Sequence, residues 1–579
     1  MIAPAEHGET YRPRHGSRAR TTDRPVQIAS TAGRHVEFAL FAPHVASVAL
    51  VGSWSRTPLP LQRDDGGTWR RKVLLPEGRH QYRFRLPSLS HFLNGQTVDV
   101  TDPFARLVDE ANGDVGTIVI AGGRDVTTAY NWRHDDEPLP QDDELILYEL
   151  HIGEFGVKDG VLGTFSTVIE RLDYLRDLGV NAVELMPVAA FPMDRSWGYN
   201  VRHACAVENA YGTPQDLKRL VDECHARRMR VILDVVFNHT EGESPLTKID
   251  FGYWFRESRK DELYFGPKLD FEHVDDTIRI DGQTVMPARK YGLDVAAYWL
   301  REYHLDGYRL DATFVLDNFD FVTALRRQSK ELASGKPFYV VAEHLPEDPL
   351  IAGPDGPADG AWHQRFEHAV VEALISHGRN AADLLSVLQP RNDGYVSPAR
   401  VVNYVESHDE PTLMQRLAEA GISGEAAFRK SKLAATLLFT AVGNPMLYQG
   451  QEFGGSRPRD LEIRPLQWAY LEADYGLHLK EHHAFLALLR RASPALRGDQ
   501  FAICHNRYGV IAYRRGSGAT EVIVVANLRD VDRSAAIPFP CGAWQEVTFD
   551  YRIDARDGRL RDTFPASSAK IYVRLDQGR

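Results

Sequence analysis

Apolar and polar positions divide the chain into three stretches. From His35 to Leu86 they alternate in short runs, VEFALFAP, VASVALVG, WRRKVLL and HQYRFRL, punctuated by Pro, Gly and Asp. Alternation with a period of two over so few residues predicts a small β-sandwich. From Asp143 to about Pro494 the pattern changes to short apolar runs separated by amphipathic segments. The runs Leu145–Glu149, Ala182–Leu185, Arg230–Val236, Gly307–Leu310, Phe338–Ala342, Val401–Tyr404 and Pro445–Tyr448 read as strands. Phe165–Leu178 and Pro214–Arg227 carry apolar residues at helical spacing. From Phe501 onward AICHNRYGVIAYRR, EVIVVANL and KIYVRL return to strand patterning, which predicts a closing β-sandwich.

Repeated strand–helix units fit an α/β fold with a (β/α)8 barrel, its sixth strand weakly marked around Trp362. A doubly wound sheet has the same periodicity, and only the polar residues after the strands separate the two. The expected division is a disordered tail over 1–30, a sandwich over 31–140, a barrel over 141–494 and a second sandwich over 495–579. An Asp-, Tyr-, Phe- and Gly-rich insertion at about 240–295 follows the third strand. In a barrel it emerges at the face where active sites are built.

A chain of 579 residues is too long for a single core, and 43% hydrophobic residues is ordinary for a globular protein. The formal net charge of -12 argues against a nucleic-acid partner. Cys205, Cys224, Cys504 and Cys541 are scattered without a CxxC pair, so neither a zinc site nor a disulfide framework is expected. The most apolar stretch, Leu433–Val442, is too short to span a bilayer, and the N-terminus has no apolar run. A cytoplasmic location is the resulting expectation. The sequence leaves the oligomeric state open.

Five segments carry candidate chemistry. In DGYRLDA, Arg309 and Asp311 lie two apart at a strand end and therefore share a face. A guanidinium beside a carboxylate favours the charged form a nucleophile needs, although a structural ion pair has the same spelling. In VVAEHLPEDP, Glu343 ends an apolar strand. Burial there would let it hold a proton near neutrality and deliver it to a leaving oxygen, and a local helix cap is the alternative. His408 and Asp409 follow the strand in NYVESHDEPTL, and Asp234 and His239 belong to VILDVVFNHT. In RSWGYN, Trp197 and Tyr199 offer faces for a sugar ring or for loop packing.

The combination is far more specific than its parts. DVVFNH, GYRLDA, AEH and ESHDE occur in this order, each after an expected strand. In them the chain resembles the α-amylase family of glycoside hydrolases and transglycosidases over roughly Leu145–Phe453. The first stretch is similar to the sandwich that precedes the barrel in branching and debranching enzymes. The resemblance implies an α-1,4-linked glucan or malto-oligosaccharide substrate and no cofactor. It makes Asp311 the nucleophile, Glu343 the general acid/base and Asp409 the third carboxylate. Arg309 would orient the nucleophile. Asp234, His239 and His408 would bind the sugar before the cleaved bond, with Tyr199 beneath it and Trp197 in the same loop. Asn238 matches a calcium-ligand position of many amylases, and no metal is expected here.

Two kinds of reaction fit the resemblance, branching and α-glucan hydrolysis, the latter by trehalose release or by an α-amylase-type cleavage. SWGYN, YGTPQDLKRLVDECH and SHDE look like a 1,4-α-glucan branching enzyme, the first expectation. AWHQRFEHAVVEAL looks like the sixth-strand region of the hydrolases that release trehalose from trehalosyl-capped malto-oligosaccharides. Neither match is complete: those hydrolases usually read END and HDQ where this chain has Glu343-His344-Leu345 and His408-Asp409-Glu410.

Overall fold

The computed structural model describes residues 33–93, 95–193, 196–258, 263–459 and 461–575. The tail expected over residues 1–30 lies outside the described residues. At the N-terminal end Arg34–Phe41 pairs antiparallel with Thr68–Leu75 in a three-stranded sheet, next to a seven-stranded sheet. Alternate residues of the first strand, Phe38 and Leu40, are buried, as period-two patterning requires.

Eight parallel strands close the central barrel. They are β1 (Leu147–Leu150), β2 (Ala182–Leu185), β3 (Arg230–Val235), β4 (Gly307–Leu310), β5 (Tyr339–Ala342), β6 (Gly360–His363), β7 (Val401–Asn403) and β8 (Asn444–Tyr448). β8 pairs with β1 and closes the ring. Leu145, Leu147, Ala182, Ile232, Val341, Val402 and Met446 form an apolar cluster inside the barrel. Two residues further along the same strands the positions become Glu149, Glu184 and Asp234.

β6 was weakly marked because GAWH holds neither β-branched residues nor alternation. Packing holds its first position to glycine: a Cβ at Gly360 would lie 1.9 Å from the Tyr339 hydroxyl. The segment Phe165–Leu178, expected as one helix, forms two, Phe165–Ile169 and Leu172–Leu178. Arg171 leaves helical geometry (φ -110°, ψ 3°) where its guanidinium lies 3.9 Å over the Trp468 ring. The last part of the stretch expected as insertion belongs to a helix, Pro287–Tyr303, whose Val295, Trp299 and Tyr303 are buried.

The insertion is braced by the N-terminal sandwich. His44 Nε2 and the Tyr253 hydroxyl both meet Asp275 Oδ2, at 2.8 and 2.9 Å, and Leu89 N donates to Ile249 O at 2.9 Å. Towards the C-terminus a six-stranded sheet and a two-stranded one enclose a core that includes Ile523, Val525, Trp544 and Tyr572. Lys430 on the barrel helix Gly424–Thr440 is fully buried and donates to Asp530 Oδ1 at 2.7 Å across that junction. All four cysteines are unpaired. Among the described residues no helix is long and apolar enough to cross a membrane.

Candidate active site

The strands deliver the charged side chains to one end of the barrel. Asp234 on β3 and Arg309 on β4 are register partners. Asp311 and Glu343 each stand one residue beyond their strands, β4 and β5. Asp311 N donates to Val235 O at 3.2 Å, and Glu343 N to Leu310 O at 3.0 Å, which carries the ladder past the strand ends. Between the two, Ala312 adopts a left-handed conformation (φ 42°, ψ 53°), at a cost of roughly 1–2 kcal/mol for a residue with a Cβ. Its N–H donates to Glu343 Oε2 at 2.7 Å.

One guanidinium joins the acids. Arg309, fully buried, donates from Nη1 to Asp234 Oδ1 and Oδ2 at 3.0 and 2.9 Å and to Asp311 Oδ1 at 2.8 Å. Its Nη2 lies 2.8 Å from Glu343 Oε2. The amide of Asn238 donates to Asp311 Oδ2 at 2.8 Å, so both nucleophile-candidate oxygens are held. A second chain of contacts leads away from Asp234. The Tyr199 hydroxyl donates to Asp234 Oδ2 at 2.7 Å and lies 2.8 Å from His408 Nε2. His408 Nδ1 meets Glu149 over the end of β8, and its Nε2 lies 3.3 Å from Asp409 Oδ2.

Burial tunes these groups in different directions. Desolvation raises Glu343 to about 7, with Asp311 and Asp409 adding to the shift and Arg309 opposing it. Desolvation likewise takes Asp234 to about 6 against the attraction of Arg309. Asp409 is desolvated too, yet the charges of His408 and Arg309 hold it below the ordinary aspartate value. His408 rises to about 9, because Asp409 and Glu149 outweigh its desolvation. It is therefore an imidazolium at neutral pH. Desolvation lowers His239. One acid poised to hold a proton near neutrality beside two further carboxyls is the electrostatic pattern of acid–base chemistry at a glycosidic bond.

The reacting groups line a cleft of ≈ 630 Å³. Asp311, Glu343, Asp409, His239, His408, Trp197 and Tyr199 all reach it. Trp197 and Tyr199 flank His408, the indole edge-on and the phenol stacked, each with ring centroids 5.2 Å away. Gly198 permits this arrangement: its φ of +94° and a would-be Cβ only 2.7 Å from Pro187 O exclude side chains there. The insertion adds Tyr264 and Phe265, 65% and 49% exposed, to the lining, and the short helix Thr313–Leu316 after β4 adds Phe314. Aromatic faces left open to solvent beside polar groups suit the alternately apolar and hydroxylated surface of a sugar.

All nine residues singled out from the sequence gather around this cleft and the guanidinium beneath it: Asp311, Glu343, Asp409, Trp197, Tyr199, Asp234, His239, Arg309 and His408. Four others join them, of which Asn238 was named only as a calcium-ligand position, Trp362 only as marking the sixth strand, and Glu149 and Glu184 not as site residues at all. Asn238 touches Asp311, Glu149 touches His408, Trp362 lies under the Arg309 guanidinium at 4.6 Å, and Glu184 adjoins Glu149. Glu149 and Glu184 did leave a signal, a lone acid inside an otherwise apolar strand, where burial is costly without a purpose.

Residues 141–277 and 284–463 match the alpha-amylase catalytic domain family, and residues 26–105 match carbohydrate-binding module 48, the isoamylase N-terminal domain. The chain is 31% identical over 458 residues to a malto-oligosyltrehalose trehalohydrolase of Arthrobacter ramosus, an alignment covering 73% of this chain and 74% of that protein. It is 24% identical over 612 residues to the 1,4-alpha-glucan branching enzyme GlgB of Oceanobacillus iheyensis, covering 93% and 87%. Its fold is similar to a pullulanase from Anoxybacillus sp. LM18-11 solved with maltotriose, with a TM-score of 0.78 at 22% identity over 94% of this chain and 84% of that one.

Proposed function

The chain belongs to the α-amylase family of α-glucan-active enzymes, and from that premise we propose a retaining glycosidase in which Asp311 is the nucleophile and Glu343 the acid/base. The observation that carries this reading is the single guanidinium of Arg309 contacting Asp234, Asp311 and Glu343, with Glu343 raised to about 7. Protonated Glu343 gives its proton to the bridging oxygen as that oxygen leaves with the bonding electron pair. Asp311 attacks the anomeric carbon and forms a glycosyl ester. Glu343, now a carboxylate, takes a proton from the incoming hydroxyl, whose oxygen displaces Asp311 and restores the starting configuration. Asp409 and His408 bind sugar hydroxyls beside the reacting carbon, and Tyr199 supports the ring.

For the acceptor we propose water, and for the substrate a trehalosyl-capped malto-oligosaccharide from which trehalose is released. The 31% identity to a trehalohydrolase over 73% of the chain supports this reading, as does the sixth-strand stretch AWHQRFEHAVVEAL. Branching, in which a glucan hydroxyl replaces water, is the second reading. It is favoured by SHDE at Ser407–Glu410 and by the alignment to a branching enzyme over 93% of the chain. The deciding experiment incubates the purified protein in parallel with amylose and with a trehalosyl-capped malto-oligosaccharide. Free trehalose from the capped substrate, without new α-1,6 linkages in amylose, supports hydrolysis. New α-1,6 linkages with few new reducing ends would replace it with branching.

A further inference from the structure

The barrel interior holds an acid that the proposed chemistry does not use. Glu184 on β2 is the register partner of Glu149 on β1 and is 1% exposed. Neither of its carboxyl oxygens has a hydrogen-bond partner in the protein. Leaving a buried polar group unpaired costs about 1–3 kcal/mol, and more when it is charged. Two donors in the same interior also lack protein acceptors, Arg309 Nε and Trp362 Nε1, where the guanidinium lies 4.6 Å over the indole. A carboxyl without donors and donors without acceptors inside one closed barrel form the kind of set that ordered internal water completes.

We propose that Glu184 is a positioning residue: as a neutral acid it ties Glu149 and the Arg309 side chain together through water held inside the barrel. The inference rests on the roles proposed above for Arg309 and His408. A protonated carboxyl supplies both functions the interior needs, an O–H that donates towards Glu149 and a carbonyl that accepts from water at Arg309 Nε. Four titratable or charged groups act on it: Glu149 from β1, Asp234 from β3, Arg309 from β4 and His408 from the loop after β7. Burial first, and the charge of Glu149 next, push its carboxyl well above the ordinary range. Glu149 in turn carries His408, accepting its backbone N–H at 3.2 Å and meeting Nδ1. A shift in Glu149 or Arg309 would therefore be felt at the sugar and at Asp311 together.

The test compares Glu184→Gln with Glu184→Leu. The glutamine keeps a neutral donor and acceptor, so its kcat and KM are expected within about threefold of native. The leucine removes both, and kcat is expected to fall about thirtyfold with KM nearly unchanged, since small misplacements of catalytic groups act on the transition state. The leucine variant's melting temperature is expected to stay level or rise, because an apolar residue replaces an unpaired polar one. Infrared spectra of the substrate-free protein at neutral pH should contain a buried protonated-carboxyl band that Glu184→Gln removes. Native kcat in the leucine variant, equal losses in both variants, or a missing band would each overturn the inference. If no glucan is turned over, the functional reading fails. An NMR titration of His408, native-like in the glutamine variant and displaced in the leucine variant, still decides this inference. It does so from the glutamine variant and the band alone if the leucine variant does not fold.

Discussion

The lower and upper halves of the barrel interior are built on the same strands and solve opposite problems. Below, Leu147, Ala182 and Ile232 pack into an apolar cluster with Val341, Val402 and Met446. Above, two residues along each of β1, β2 and β3, stand Glu149, Glu184 and Asp234 around Arg309 and His408. The lower half gains stability from apolar burial at roughly 25 cal/mol per Å². The upper half buries charges that are tolerable only because each cation is shared by several acids. The strands hold position by their lower residues and spend their upper ones on chemistry, as is general for this barrel architecture.

If that division is right, substitutions in the two halves should separate activity from stability. The largest effect is expected from Asp311→Asn, which should lower kcat at least about 10^4-fold while malto-oligosaccharide binding by calorimetry persists. Retained turnover would remove Asp311 from the nucleophile role. Arg309→Leu should be the one change that crosses the division. It leaves Asp234 and Asp311 without their common cation, so kcat should fall about 10^3-fold and urea unfolding should lose about 3–5 kcal/mol.

Smaller effects test the finer wiring. Tyr199→Phe removes the hydroxyl between Asp234 and His408, and kcat/KM should drop about 10- to 100-fold with a slightly lower melting temperature. The pH profile of kcat/KM should be bell-shaped. Activity should fall below about 6 as Asp234 gains a proton and loosens Arg309, and above about 7 as Glu343 loses the proton it must donate. An alkaline limb that Glu343→Gln leaves unmoved in residual activity would place the acid elsewhere. Leu147→Ala, in the lower half, should cost about 2–5 kcal/mol of stability and change kcat less than twofold. His408 has the opposite sign from an ordinary carboxylate. Raised from 6.5 to about 9, it contributes stability that is complete below 6.5 and is lost as pH rises through about 9. His408→Gln should accordingly flatten that alkaline decline in the melting temperature, the smallest of these effects.

The sequence by itself determined the strand ends and their order. DVVFNH, GYRLDA, AEH and ESHDE each lie at the end of an expected strand or just past it, and period-two alternation aims Arg309 and Asp311 the same way. Local rules suffice there because neighbours in sequence are neighbours on a strand. β6 was faint because GAWH has no β-branched residue or alternation, and the Tyr339 hydroxyl leaves its first position room only for glycine. The polar wiring lay beyond local rules altogether. His408 meets Glu149 across 259 positions of sequence, Asn238 reaches Asp311 across 73, and Glu184 adjoins Glu149 by strand pairing. His408 reaches Glu149 only once β8 has closed on β1, whereas the other two contacts, and the acids that share Arg309, come together when neighbouring strands pair. Charges shift one another's protonation through space, so only the tertiary structure decided that Glu343 is poised near 7 and that His408 is charged.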